Sequence, residues 1–174
     1  MYYAGNEDIN HYNGVAVITT GRVAKSVRGY VPVSDRVIIL QVEAKPFNIN
    51  IIQVYAPTFT SSENELEKFY QDIKSALKLV KSAENTMILG DFNAKVCKGR
   101  CQRVIGNFGL GNRNERGDRL IQFCQEHDFF VANTCFKLPT RRIYTWKSNT
   151  DTDEKTVRNQ IDYILVKNRH RNSL

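Results

Sequence analysis

Apolar residues recur along this chain at two spacings, every second position and every third or fourth, and each spacing predicts its own element. Gly14 to Thr20, Arg36 to Ala44 and Phe47 to Tyr55 read as strands. The short Lys45-Pro46 connection makes the last two an antiparallel hairpin. Within Phe47 to Tyr55, Phe47, Ile49 and Ile51 alternate with Asn48, Asn50 and Ile52. That predicts one face buried throughout and a second covered only towards the end. Pro57 stops the strand, and Ser62-Glu63-Asn64-Glu65 is a capping-box pattern opening a helix. Leu66, Phe69, Tyr70, Ile73, Leu77 and Val80 give that helix one sheet-packing face. Met87-Ile88-Leu89 is a short buried strand. After a long loop from Lys95 to Glu115, a second helix from about Arg116 to His127 buries Leu120, Ile121 and Cys124. Phe129 to Val131, Arg142 to Trp146 and Gln160 to Val166 read as strands. Lys147 to Asn159 is a polar excursion between the last two. Residues 1–13 are expected to be irregular and the basic tail from Lys167 to be frayed. Hairpins with two sheet-packed helices, without regular βαβ alternation, predict an α+β fold with two sheets.

The length of 174 residues predicts a single domain spanning 1–174. No apolar run reaches membrane-spanning length, no signal-peptide pattern opens the chain, and Asn-x-Ser/Thr sequons are absent. The expectation is an intracellular protein, nuclear or cytoplasmic, with no membrane partner. The net charge is +7, and its distribution is uneven. Residues 1–87 carry 9 Lys/Arg and 9 Asp/Glu, whereas residues 88–174 carry 16 and 9. A basic half attracts a polyanion through steering and counterion release, so a nucleic-acid partner is expected, against the plainer reading of a solvated basic surface. Cys97, Cys101, Cys124 and His127 have spacings that invite zinc, but Cys124 falls on the apolar helix face. Four reduced thiols is the plainer reading.

The buried Met87–Leu89 strand delivers Gly90-Asp91-Phe92-Asn93-Ala94. Asp91 and Asn93, two apart in an extended segment, project to one side. A carboxylate there can orient or deprotonate a water, and an amide can donate to a phosphoryl oxygen. The same residues are also ordinary turn chemistry after a strand. Val54-Tyr55-Ala56-Pro57 and Gln160-Ile161-Asp162-Tyr163-Ile164-Leu165 strengthen the chemical reading, because each is an apolar strand delivering one polar residue near its end.

Together these motifs resemble the endonuclease/exonuclease/phosphatase superfamily, which includes the abasic-site endonucleases. The similarity is strongest to the endonuclease domains of non-LTR retrotransposons and their host relatives, the craniofacial development protein 2-like sequences. It runs from about Gly14 to Val166 and includes Asn114-Glu115-Arg116-Gly117 and Tyr144-Thr145-Trp146. The resemblance implies a two-sheet β-sandwich flanked by helices and a Mg2+ (or Mn2+) cofactor. It implies that Asp91 activates the attacking water, Asn93 stabilises phosphoryl oxygens and Tyr55 contacts the scissile phosphate. Asp162 would orient a catalytic histidine. Arg141, Arg142 and the Lys147–Arg158 excursion resemble a hairpin that meets DNA. Trp146 either stacks against a base or sits in the core. Arg113, with Arg100 and Arg103, lies in the long loop, which is either functional or a surface excursion.

The chain departs from the family pattern at several points. Thr58 follows Pro57 where relatives often have Asn. No match is found to the family's metal-binding Glu, since Glu7 has the wrong neighbours, nor to its closing Ser-Asp-His. His170 lacks the preceding Asp and is not expected to replace that histidine. The expectation is a domain incomplete at both termini. Three functional readings follow: a metal-dependent, DNA endonuclease-like phosphodiesterase; a catalytically inactive nucleic-acid or chromatin interaction module; and a superfamily phosphatase.

Overall fold

Ten strands, three α-helices and three short 3-10 helices make up the regular structure of the residues that the computed structural model describes, 1–5, 13–97, 99, 101, 103–152 and 155–173. Their contacts cluster into two compact units, Met1–Gly90 and Asp91–Leu174. Arg100 and Glu7, both considered above, lie outside the described residues. Among the described residues no helix is long and apolar enough to cross a membrane.

The first unit begins with an antiparallel hairpin, β1 (Tyr2–Gly5) and β2 (Gly14–Val17). Thr20 then caps a one-turn helix, α1 (Gly21–Ala24). β3 (Val27–Ser34), β4 (Val37–Val42) and β5 (Ile49–Tyr55) follow as an antiparallel meander, with β6 (Asn85–Asp91) next to β5. Val37, Ile38, Ile39 and Leu40 on β4 are all fully buried, so both faces of this sheet are covered. Ala4 and Val15 of the first hairpin pack on Ile38, with Tyr2, Val17 and Tyr55 at the margin. α2 (Glu63–Leu79) packs on β3 and β4 through a face that includes Leu66, Phe69, Tyr70 and Ile73. The expected capping box is present: Ser62 Oγ accepts from Glu65 N at 3.3 Å, and Ser62 N donates to Glu65 Oε2 at 2.9 Å.

Three details of this unit differ from expectation. β1 lies in a stretch expected to be irregular, because four residues burying only Ala4 leave too little pattern to read. β3 was not expected either; Gly29 and Pro32 look like breakers, but β3 is the edge of its sheet, where a missing N–H is tolerated. On β5 the fully buried face is the one with Asn50, Ile52 and Val54, whereas Phe47 is exposed and Ile49 and Ile51 are half-buried. Asn50 is buried because its amide is satisfied. Its Nδ2 donates to Glu84 Oε2 at 3.0 Å, and Gln41 Nε2 donates to its Oδ1 at 3.4 Å. Glu84 also accepts from Asn48 Nδ2 and Arg28 Nη2, each at 3.0 Å.

The second unit contains α3 (Glu115–Glu126), β7 (Phe129–Val131), β8 (Trp146–Lys147), β9 (Arg158–Asn159) and β10 (Asp162–Lys167). β10 pairs antiparallel with β7, and β8 with β9. α3 buries Leu120, Ile121 and Cys124, as its spacing predicts, and Phe123 as well, and burial pushes the Cys124 thiol up. Thr140–Arg142 is a 3-10 turn and only Trp146–Lys147 is extended, so the strand expected from Arg142 is largely absent. The tail is docked rather than frayed. Asn168–Ser173 forms 3-10 turns, and Arg171 donates to the Arg103 carbonyl at 2.8 Å and lies 4.6 Å from the Phe130 ring centroid.

Candidate active site

Gly90 ends the first unit with φ +143, and a β-carbon there would stand 1.9 Å from the Val54 carbonyl oxygen. Only glycine fits that approach. Asp91 follows directly. Its Oδ1 accepts the Asn93 N–H at 2.7 Å, closing an Asx turn, and Asn93 takes φ +45, a conformation that asparagine tolerates well. Phe92, buried between them, donates its N–H to the Ile161 carbonyl at 2.9 Å. That single hydrogen bond is flanked by Asp91 on one segment and Asp162 on the other, so it brings the two carboxylates into one neighbourhood.

Side chains of the second unit hold both segments. Thr145 Oγ1 accepts from the Ile161 and Asp162 N–H groups at 3.1 and 3.2 Å. Asn133 extends the ladder of β10: its Nδ2 donates to Asp162 O at 3.1 Å and its Oδ1 accepts from Ile164 N at 2.8 Å. The buried Tyr163 hydroxyl donates to Gln160 O at 2.6 Å and accepts from Val96 N at 3.4 Å. Asn114 Oδ1 accepts both from Lys95 N at 2.9 Å and, as the cap of α3, from Gly117 N at 3.0 Å. A β-carbon on Gly117 would lie 1.9 Å from Lys95 O. The Asn-Glu-Arg-Gly motif is thus a clasp between the segment after Asp91 and the start of α3.

The Asp91 carboxyl is pushed up to about 6. Burial is the main cause, the Asp162 charge adds to it, and the Asn93 N–H opposes it. Among the described residues, His170 does not stand beside Asp162 in place of the histidine that the family pattern supplies, because Asp162 and His170 lie at opposite ends of one strand. Asp162 opens β10, and His170 lies beyond the other end. At ~3.3 Å per residue those ends are roughly 17 Å apart. Tyr55 closes β5 in the first unit, with the Arg36 guanidinium 5.3 Å from its ring centroid.

The residues expected to meet nucleic acid fall into two sets. Arg141 and Arg142 are exposed on their turn, and Trp146 is 42% exposed, which removes the core reading for it. Lys147 and Arg158 instead face each other across β8 and β9 and converge on Asp151. Arg158 Nε and Nη2 donate to Asp151 Oδ2 at 3.0 and 2.9 Å, and Lys147 Nζ stands 3.2 Å away. Burial alone pushes the Asp151 carboxyl up, but these cations and the Val157 N–H hold it below the usual carboxylate range. Arg113 pairs with Asp118 at 3.3 Å. Sequence reasoning missed Asn133 and Asp151; for Asp151 the signal was an acid inside a basic excursion.

A family model described as endonuclease-reverse transcriptase matches residues 49–173. The chain belongs to the endonuclease-reverse transcriptase family. It is 41% identical over its whole length to craniofacial development protein 2 of Tragulus javanicus, and it spans 29% of that relative's length. Among solved structures, an AP endonuclease from Archaeoglobus fulgidus matches with a TM-score of 0.55 at 19% identity, covering 79% of this chain and 55% of that one. The endonuclease domain of TRAS1, a telomere-specific non-LTR retrotransposon, matches with a TM-score of 0.54 at 14% identity, covering 80% and 53%. These matches establish the α+β endonuclease/exonuclease/phosphatase fold.

The fold family implies a divalent cation. Among the described residues no three His, Cys, Asp or Glu side chains form a closed ligand cluster. Two neighbouring carboxylates, with Asp91 raised mainly by burial and further by the Asp162 charge, fit a hard cation of the Mg2+ kind, which commonly takes one or two protein carboxylates and completes its shell with water and substrate phosphate.

Proposed function

We propose that the second unit is a phosphodiesterase module, endonuclease-like, that hydrolyses a nucleic-acid phosphodiester by water attack. The observation that carries this is the Asp91–Asp162 pair, with Asp91 raised to about 6. A carboxylate titrating there is still mostly ionised at neutral pH and is a stronger base than an ordinary one. Asp91 accepts a proton as the water oxygen bonds to phosphorus, the leaving oxygen departs, and solvent protonates it. Asn93 donates its amide to a phosphoryl oxygen as charge builds. A bound divalent cation would neutralise negative charge on those oxygens. Asp162 raises the proton affinity of Asp91 and supplies a carboxylate that would hold the cation while Asp91 takes the proton. Arg141, Arg142 and Trp146 offer exposed charge and a stacking surface for the strand.

The test is nicking of supercoiled plasmid in Mg2+ by the full chain and by Asp91→Ala, with folding of both checked by circular dichroism. Nicking should fall by about two orders of magnitude or more in the variant. If neither folded protein nicks, the reading fails. Binding with a steep salt slope would then favour a non-catalytic nucleic-acid module, for which the basic second half of the chain is the supporting observation.

A further inference from the structure

At the end of β10 remote from Asp162, the second unit has a groove of about 660 Å³, well within the size range of ligand sites. Its lining includes Arg103, Asn107, Cys135, Arg171 and Asn172, and no acidic residue among those described. Arg171 is held from several sides. Its Nη1 donates to Arg103 O at 2.8 Å and to Asn168 Oδ1 at 3.4 Å, its Nη2 lies 3.8 Å from Cys135 Sγ, and the group stacks on Phe130. Asn168 is fixed in turn by Asp128, which accepts its Nδ2 at 3.0 Å. A guanidinium has five N–H donors, and these contacts take three. The remainder are held in place by packing, so little rotamer freedom is lost when they meet an acceptor. Arg103 is exposed and adds a second guanidinium, and Asn107 and Asn172 add exposed amides.

We propose that this groove binds a phosphate group, carried either on a nucleic-acid strand or on a free nucleotide. Two guanidiniums and two amides around a space with no carboxylate match a tetrahedral oxyanion that can take several donors at once. The inference does not depend on the reaction proposed above, because it uses none of the residues placed there.

Cys135 supplies a reporter inside the groove, and Cys97, outside the lining, supplies a control. Alkylation of each thiol by N-ethylmaleimide is followed by peptide mapping on the full chain. Inorganic phosphate, a mononucleotide or a short oligothymidine is added in turn. Protection of Cys135 but not Cys97 is expected. Protection by all three probes identifies a free-phosphate site, and protection by the oligonucleotide alone identifies a strand site. Arg103→Ala should weaken the protection by about tenfold or more at unchanged Tm, since charge-assisted contacts of this kind are worth that much. Arg171→Lys, which keeps the charge but loses the fork, should weaken it too. Equal alkylation of Cys135 with and without every probe would overturn the proposal, as would full protection in Arg103→Ala. Plasmid nicking by Arg103→Ala, measured in parallel, reports on the other reading separately.

Discussion

The two ends of β6 carry carboxylates in opposite conditions. Glu84, just before the strand, receives hydrogen bonds from Asn48, Asn50 and Arg28, and they hold its carboxyl down at about 2. Asp91, at the strand's last position, is half-buried with one N–H and a second carboxylate for company, and it is pushed up to about 6. One end therefore stabilises the fold by being charged. The other is destabilised by its own charge, and that unfavourable interaction is what a proton or a cation would relieve. Residues 1–90 carry equal numbers of acids and bases, whereas 91–174 hold the whole excess of +7. The unit with the satisfied acid is neutral, and the unit with the unsatisfied one is basic.

The largest effect that separates these ends is on activity. Asp91→Asn should lower plasmid nicking by about two to four orders of magnitude and yet raise Tm. Glu84→Gln should lower Tm, because Arg28 loses its counter-charge and two amides lose a strong acceptor. Any of that variant that is folded should still nick. A Tm that falls in Asp91→Asn would break the comparison.

Next is the backbone that seats Asp91. Gly90→Ala places a methyl 1.9 Å from the Val54 carbonyl in a conformation L-residues rarely adopt. Overpacking against backbone of this kind, in a strained conformation, costs roughly 3 kcal/mol or more. Chemical denaturation measures it, and a loss below about 1 kcal/mol would mean that β6 shifts freely and is no rigid seat.

Acid titration sharpens the contrast further. Glu84 has a folded pKa below its unfolded one, so its stabilisation is present above the unfolded value near 4.5 and is lost as pH falls towards about 2. Asp91 has the opposite sign. The folded protein holds that proton more tightly, so stability rises as pH drops from neutral through about 6 towards 4. Allowing for solvent screening of a half-exposed group, the gain is on the order of 1 kcal/mol. Stability measured in EDTA should pass through a maximum at mildly acidic pH, and Asp91→Asn should remove the rise on its neutral side. A wild-type profile flat from pH 7 to 5 would remove the Asp91 half of the argument.

These ends were not equally legible in the sequence. Gly90, Asp91 and Asn93 could be read because their geometry is local: a strand end, a glycine that admits a close approach and an Asx turn. The environment of Glu84 could not, because the burial of Asn50 depends on an acid 34 positions away. Alternation alone therefore chose the wrong face of β5. β3 was missed for a related reason, since Pro32 counts as a breaker until the strand is known to be an edge. The tail looked frayed because Arg171 finds its acceptor 68 residues back. The basic excursion was read as free charge because counting Lys147 and Arg158 does not show that Asp151 takes them both.

That last misreading leads to the smallest effect, within the basic unit itself. A cation contributes to polyanion binding through the counterions it displaces, so only charge available to phosphate enters the salt slope. Arg141 and Arg142 are exposed on a short turn. Lys147 already sits 3.2 Å from a carboxylate that Arg158 also holds. Arg141→Gln should therefore reduce the slope of log affinity against log salt by about one for duplex DNA, with little change in Tm. Lys147→Gln should change the slope by clearly less, because the group it removes is already neutralised within the hairpin. Binding isotherms at several salt concentrations would show the ordering. Equal slopes for the two variants would mean that the Asp151 clasp opens on DNA, and the excursion would then act as the free basic hairpin its composition suggests.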